Sequence, residues 1–303
     1  MKKRIGEHPD FNAVYTDKNM TLYRINDEST SKDRKPIIIF NGNVSSDYNP
    51  NNYGKAKVSS IAILSDRFFG NSYDWYDMDT QQAYVMSING KPVHANTSIE
   101  YAQSLLTAQK ELKLQKADLV GKSYGGIIAL QTLNQDQLDY VDHVYGCNMP
   151  LYGSPLADYT NLKIFIQNNK QHPLDYMIAK ASLAVIDPTF GSTKENALGI
   201  NLETLQLPKD LTKFTAISSL AFVKDQNGEE QYTTKGGIGK VVEQLGARFI
   251  KKHYNKLSDG VVIVDQERMN KDGIDYHIIP NSYHSDMSNQ EHLEKCYQYI
   301  KTK

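Results

Sequence analysis

Runs of apolar residues predict the strands of a buried sheet in this chain. Residues 36–40 read Pro-Ile-Ile-Ile-Phe, and residues 117–120 read Ala-Asp-Leu-Val. A run of β-branched residues without polar alternation is typical of a strand that is covered on both faces. Further strands are predicted at residues 58–64, 141–147, 213–218 and 275–279, and an antiparallel pair at a sheet edge within residues 11–30.

Two turn sequences predict hairpins beside this sheet. They are Asn-Gly at 89–90 and Gln-Asn-Gly at 226–228. Residues 43–57 are rich in Asn, Ser, Gly and Tyr, and we expect a long loop there. Residues 68–76 are aromatic without a clear period, and we expect them to be irregular.

Helical periodicity separates the predicted strands. Residues 97–100 read Thr-x-x-Glu, a capping box, and apolar residues at helical spacing follow it. A helix is also predicted over 238–254, and a second capping box at 288–291 begins the final helix. Strands that alternate with helices indicate a mostly parallel α/β sheet.

The composition permits one large hydrophobic core. The chain has 303 residues, of which 40% are hydrophobic and 23% are charged. We expect a single domain over residues 1–303, with an insertion at 159–211 that breaks the alternation. Lysine plus arginine (34) nearly balances aspartate plus glutamate (35), so charge does not favour nucleic acid or an anionic membrane as the partner.

The lack of a recognisable targeting signal and the small number of cysteines favour a cytoplasmic protein by default. The basic start at 1–4 is not followed by the apolar core of a signal peptide, and no apolar run reaches transmembrane length. Cys147 and Cys296 provide no disulfide framework, and we expect both to be buried. A mature secreted form, or export by another route, stays open.

The strongest chemical signal follows the apolar run at 117–120. Residues 121–126 read Gly-Lys-Ser-Tyr-Gly-Gly and lead into an apolar helix, which is the Gly-x-Ser-x-Gly pattern of a nucleophile elbow. Ser123 is then the candidate nucleophile, and the Tyr124 N–H at the helix start is a candidate oxyanion donor. A phosphate loop is excluded because Lys116 stands where that motif needs glycine. An ordinary turn with an N-cap serine is the remaining alternative.

A second motif gives the chain a specific resemblance. Residues 150–158 read Pro-Leu-Tyr-Gly-Ser-Pro-Leu-Ala-Asp and follow the predicted strand at 141–147. Together with Gly-x-Ser-x-Gly-Gly, this segment resembles the lipases and esterases of the α/β-hydrolase superfamily, from about Pro36 to the C-terminus. The resemblance implies an α/β-hydrolase fold, a mostly parallel central sheet flanked by helices, with a cap or lid insertion.

The insertion at 159–211 is where that lid would lie. An apolar stripe at helical spacing follows Pro173 and precedes Pro188. A packed core helix would show the same stripe, so the pattern leaves both interpretations open. The stripe consists of Leu174, Met177, Ile178, Ala181, Ala184 and Val185.

The resemblance also implies a base and an acid for the serine. His284 lies between the last predicted strand and the last helix, where this fold presents its base, and the order serine, aspartate, histidine fits. Asp259 lies in Ser-Asp-Gly-Val-Val, which resembles the acid turn of the family, and Asp225 is the second choice. The remaining histidine candidates are expected to pack or to face solvent: His143, His277 and His292. Asp265 and Asp286 are expected to be solvated surface carboxylates.

Two positions depart from the family pattern. The second oxyanion donor would be the Asn43 N–H, but the His-Gly pair that precedes it in the family is Asn41-Gly42 here. Gly42 keeps the backbone geometry available. Lys122 likewise replaces the histidine common before the serine. Its side chain either tunes substrate choice or merely lies alongside the elbow, and we favour the second interpretation.

These residues together predict a lipase-like or esterase-like serine hydrolase that acts on carboxylic esters through an acyl-enzyme. We expect no metal and no organic cofactor, a small-molecule ester or lipid substrate, and at most transient contact with a lipid surface. A thioesterase or acyltransferase could use the same residues. A non-catalytic binding protein on this fold is the alternative from another class.

Overall fold

Most of the predicted strands form one sheet in the structure, which is a computed structural model. It describes residues 12–24, 35–40, 74–80, 84–86, 92–94, 98–157, 159–190, 206–224, 230–232, 240–288, 292, 294–295 and 298–299. The strands are β1 (Asn12–Thr16), β2 (Met20–Arg24), β3 (Pro36–Phe40), β4 (Asp74–Thr80), β5 (Tyr84–Met86), β6 (Pro92–His94), β7 (Ala117–Lys122), β8 (Val141–Cys147), β9 (Phe214–Leu220), β10 (Phe222–Lys224), β11 (Glu230–Tyr232) and β12 (Asp275–Pro280).

The sheet has eight strands in the order β1-β2-β4-β3-β7-β8-β9-β12 among the described residues. The six strands from β4 to β12 run parallel, whereas β2 runs antiparallel to both of its neighbours. The predictions of a mostly parallel sheet and of an antiparallel edge pair are therefore confirmed. Because parallel strands end at the same edge, the segments that follow β7, β9 and β12 meet there.

Helices cover this sheet and connect its strands. They are α1 (Ser98–Glu111), α2 (Tyr124–Gln135), α3 (Tyr159–Asn168), α4 (Pro173–Phe190), α5 (Val241–Tyr254) and α6 (Gln266–Asp272). Side chains of α1, α2 and the central strands share one core, which includes Ile38, Leu105, Leu119 and Ile127, each with 0% exposure. Burial of a side chain of this size contributes about 1.5–3 kcal/mol, so the apolar runs hold the central strands in place.

Strand β4 corrects one prediction, because residues 74–76 belong to a strand rather than to irregular structure. The sequence Asp-Trp-Tyr-Asp-Met-Asp-Thr carries aspartates among its large side chains, so it has neither an apolar run nor a clean alternation. Its backbone pairs with β2 on one side and with β3 on the other. Pairing on both sides makes this segment a strand, which its own sequence does not show.

The two hairpins are confirmed as pairs, β5 with β6 and β10 with β11. Their turn residues lie outside the described residues, as do the loop at 43–57, the strand at 58–64, Cys296 and most of the final helix. Helix α5, predicted over residues 238–254, begins at Val241 after the N-cap residue Lys240. Residues 238–239 lie outside the described residues.

The segment that we predicted to be an insertion contains the helices α3 and α4, and α4 continues through Pro188 to Phe190. Two residues of the apolar stripe, Leu174 (55%) and Met177 (65%), are exposed, and on the same helix Asp175 and Ala179 are buried. This part of the stripe therefore does not pack into the core. None of the described helices is both long and apolar enough to span a bilayer.

Candidate active site

The segment between β7 and α2 has the geometry of the predicted elbow. Ser123 has φ 53° and ψ −127°, a conformation that costs energy for any residue with a Cβ. A Cβ on Gly121 would lie 2.4 Å from the Gly125 carbonyl oxygen, and one on Gly126 would lie 2.6 Å from the Met149 Cβ. The turn is tight enough to require glycine at both positions.

The hydroxyl of Ser123 does not cap the helix that it precedes. Its side chain makes no capping hydrogen bond, although the Ser123 carbonyl accepts one from the Gly126 N–H at 2.9 Å. The interpretation as an ordinary N-cap turn therefore lacks its defining contact. The hydroxyl instead lies 3.1 Å from His284 Nε2.

His284 lies just past β12 and begins a short 3-10 helix, His284–Ser288. Its Nδ1 is 2.7 Å from Asp259 Oδ2, and its backbone N–H donates to the Asp259 carbonyl at 2.9 Å. Two contacts therefore join the same pair of residues, one through side chains and one through the backbone. They fix both the ring of His284 and the chain that carries it.

Asp259 lies in a tight turn at the carboxyl end of the sheet. Its side chain has 0% exposure, and Oδ1 accepts hydrogen bonds from the N–H groups of Val261 (2.9 Å) and Val262 (2.8 Å). The turn is held near the end of β9 because the Ala221 N–H donates to the Ser258 carbonyl at 3.0 Å. Oδ2 is left to face His284, which favours the tautomer with hydrogen on Nδ1.

The structure thus brings together Ser123, His284 and Asp259 in one hydrogen-bonded chain. A histidine held in this tautomer presents Nε2 as the acceptor for the serine proton, and the buried carboxylate stabilises the imidazolium that results. This arrangement can activate a serine hydroxyl for attack on a carbonyl carbon.

Asn148 is a contributor that the sequence reasoning did not identify. It follows β8 with φ 47° and 0% exposure. Its Nδ2 donates to the His284 carbonyl at 3.1 Å, and its Oδ1 accepts from the Ser219 N–H at 2.7 Å. The side chain therefore ties the His284 segment to β9. The available signal was an asparagine directly after a strand, a residue type that adopts positive φ more readily than most.

The predicted oxyanion donors have different outcomes. Tyr124 is the first residue of α2, so its N–H lies at the positive end of that helix, next to Ser123. Asn43 and Gly42 lie outside the described residues. Lys122, at the end of β7, is half-buried, and burial lowers the pKa of its ammonium group.

The three other histidines that we considered as the base occupy structural positions. His143 Nε2 is 2.9 Å from Thr215 Oγ1 inside the sheet. His277 stacks on the ring of Tyr299, with 3.8 Å between ring centroids. His292 lies between two serine hydroxyls, each 3.0 Å from a ring nitrogen, and burial lowers its pKa to about 4.

Two aspartates that we expected to be solvated have structural contacts. Asp265 is the N-cap of α6, where Oδ1 accepts from the Arg268 N–H at 3.2 Å. Asp286 accepts from the Tyr283 N–H at 2.7 Å and pairs with Lys240. Asp225 lies outside the described residues. In the described part of the chain, no three His, Cys, Asp or Glu side chains converge as a metal site.

Three bacterial or environmental enzymes are among the solved structures to which the chain is similar. A lipase from Bacillus licheniformis, BlEst2 in its mature form, has a TM-score of 0.54 at 16% identity, covering 95% of this chain and 98% of its own. The carboxylesterase CesB from Bacillus subtilis has a TM-score of 0.43 at 13% identity, over 93% and 86%. An alpha/beta hydrolase enzyme from a Moroccan lagoon metagenome has a TM-score of 0.41 at 14% identity, over 95% and 95%.

No protein-family model and no curated protein matches the sequence. At these identities structural likeness speaks for the fold, and the likeness to the Bacillus licheniformis lipase is the one on which the assignment depends. The parallel strands of this chain, the helices that flank them and the tight turn after β7 are consistent with the same fold. The chain has the α/β-hydrolase fold.

Proposed function

We propose that this protein is a serine hydrolase that cleaves carboxylic esters. The observation that carries the proposal is the chain of hydrogen bonds from Ser123 through His284 to the buried Asp259, with the serine on a strained turn. The structure of BlEst2, which is described as a lipase, adds support for an ester as the substrate.

In the first half of the proposed reaction, Ser123 Oγ attacks the carbonyl carbon of the ester while its proton moves to His284 Nε2. The carbonyl oxygen becomes an oxyanion, which accepts a hydrogen bond from the Tyr124 N–H at the positive end of α2. Asn43 would supply the second donor. His284 then gives its proton to the departing alkoxide, and an alcohol leaves the acyl-enzyme.

In the second half, a water molecule attacks the acyl carbon and His284 Nε2 accepts its proton. The tetrahedral intermediate collapses, Ser123 recovers its proton from His284, and the carboxylic acid leaves. Asp259 stays ionised throughout and stabilises the imidazolium in both halves.

The test is covalent labelling with a fluorophosphonate, followed by intact mass measurement. We expect one adduct on the wild-type protein and on the control variant Ser182→Ala, and none on Ser123→Ala. Labelling that persists in Ser123→Ala would contradict the assignment of the nucleophile. Absence of labelling in the wild type would favour a binding protein.

Turnover of a series of p-nitrophenyl esters then tests the substrate class. We expect hydrolysis by the wild type and loss of it in Ser123→Ala. A matched thioester and an alcohol acceptor are included in the same assay. A strong preference for the thioester, or transfer of the acyl group to the alcohol in place of hydrolysis, would favour the thioesterase or acyltransferase alternative.

A further inference from the structure

Helix α5 begins against the turn that carries the acid. Gly260, which follows Asp259, has φ 98°, and a Cβ on it would lie 2.5 Å from the Glu243 carbonyl oxygen. A Cβ on Gly246 would lie 2.2 Å from the Gly260 carbonyl oxygen. The backbones of the helix and of the acid turn are therefore in direct contact, and Glu243 lies at that contact.

The carboxylate of Glu243 also holds the residue that follows the base. Its Oε1 accepts from the Ser285 N–H at 2.8 Å, and its Oε2 accepts from the Ser285 hydroxyl at 2.9 Å. The Glu243 side chain is only 13% exposed. Hydrogen bonds to a charged acceptor are stronger than those between neutral groups, so this pair anchors the chain directly after His284.

Lys240 extends the contact to the residues around the base. Its Nζ lies 2.6 Å from Asp286 Oδ1 and 3.3 Å from Glu243 Oε2, and it donates to the Ser285 hydroxyl. Asp286 in turn accepts from the Tyr283 N–H at 2.7 Å. The segment on both sides of His284 is thus tied to the start of α5.

We propose that Glu243 is a positioning residue for the base, an inference that rests on the proposed function. His284 must meet Asp259 at 2.7 Å and Ser123 at 3.1 Å with one ring. Glu243 contacts the acid turn through its backbone and the base segment through its carboxylate, and so sets the distance between them. A displacement of about 1 Å can cost on the order of 100-fold in turnover.

The experiment compares three variants of the 303-residue chain. Glu243→Ala removes both acceptors, Glu243→Gln keeps one acceptor for the Ser285 N–H, and Gln244→Ala removes a half-buried side chain from the same turn as a control. We expect Glu243→Ala to lower kcat by about 10- to 100-fold with KM little changed. The rate of fluorophosphonate labelling should fall by the same factor.

The controls separate positioning from general destabilisation. Glu243→Gln should recover most of kcat, because its amide can accept from the Ser285 N–H and donate to the Ser285 hydroxyl. Gln244→Ala should keep wild-type kcat. Equal kcat in Glu243→Ala and wild type, at a temperature where both are folded, would overturn the inference. If Glu243→Ala does not fold, Glu243→Leu replaces it, because leucine fills similar space and offers no acceptor to the Ser285 N–H. Wild-type kcat in that variant would overturn the inference as well.

A spectroscopic measurement distinguishes failure of this inference from failure of the proposed function. The proton on His284 Nδ1 gives a downfield NMR resonance when it is held by Asp259. We expect this resonance in the wild type and in Gln244→Ala, and its shift or loss in Glu243→Ala. If the wild type neither labels nor turns over, the proposed function fails, and this resonance still decides the role of Glu243. An unchanged resonance would refute that role.

Discussion

Replacing Asp259 with asparagine tests the orientation of the base, and the structure determines how the new side chain must lie. Oδ1 of Asp259 accepts from two N–H groups, those of Val261 and Val262. The amide oxygen of an asparagine would have to take this position, because its NH₂ group cannot accept. The NH₂ would then face His284 Nδ1 and donate to it, forcing the ring hydrogen onto Nε2.

A histidine with hydrogen on Nε2 donates to Ser123 and cannot accept its proton. We therefore expect Asp259→Asn to lower kcat by about 10⁴-fold, which corresponds to about 5 kcal/mol of lost transition-state stabilisation. The fold should persist, because asparagine has nearly the same shape and keeps the Val261 and Val262 hydrogen bonds. Loss of the negative charge beside the imidazolium would lower kcat as well.

The assay is steady-state hydrolysis of a p-nitrophenyl ester together with thermal unfolding. Asp225→Asn is the matched control, since Asp225 was the second choice for the acid, and it should keep wild-type turnover. Asp259→Asn with more than about a tenth of wild-type kcat would refute the reasoning, because the wrong tautomer costs far more than that. Loss of activity in Asp225→Asn alone would transfer the role to that residue.

Three further predictions test the elbow, a buried histidine and the insertion. Gly121→Ala should destabilise the protein by about 1–3 kcal/mol and lower kcat, because its Cβ would meet the Gly125 carbonyl oxygen at 2.4 Å. A variant with the urea unfolding midpoint and the kcat of the wild type would contradict this. The pKa of His292 is lowered to about 4 in the folded protein, so the unfolded chain binds more protons between about pH 6.5 and 4, and stability falls by about 3 kcal/mol as the pH drops through that range. His292→Gln should flatten this part of the stability profile, and an equally steep profile would contradict the assignment. Met177→Lys should change the free energy of unfolding by less than about 0.5 kcal/mol, because Met177 is 65% exposed. If α4 acts as a lid, the same substitution should lower the ratio of long-chain to short-chain ester turnover. An unchanged ratio would refute the lid.

The sequence predicts those features that depend on neighbouring residues. Pro36–Phe40 and Val141–Cys147 are both strands, and their side chains are buried apart from that of Asp142, as their apolar runs predict. The tight contact at Gly121 is equally local, because its neighbour is the Gly125 carbonyl oxygen, whereas the contact at Gly126 is with Met149, which follows the next strand. The order of elements along the chain then places Ser123 and His284 at the same end of the sheet.

Tertiary structure decides which distant residues meet. Asp225 and Asp259 both follow β9 in the chain, and only the return of the chain after α5, with Ser258 bonded to Ala221, places Asp259 under His284. The contact between Glu243 and Ser285 likewise leaves no local pattern. A pattern along the sequence records which residues are buried and how the backbone turns, whereas the partner of a buried polar group depends on which segments the sheet order brings together.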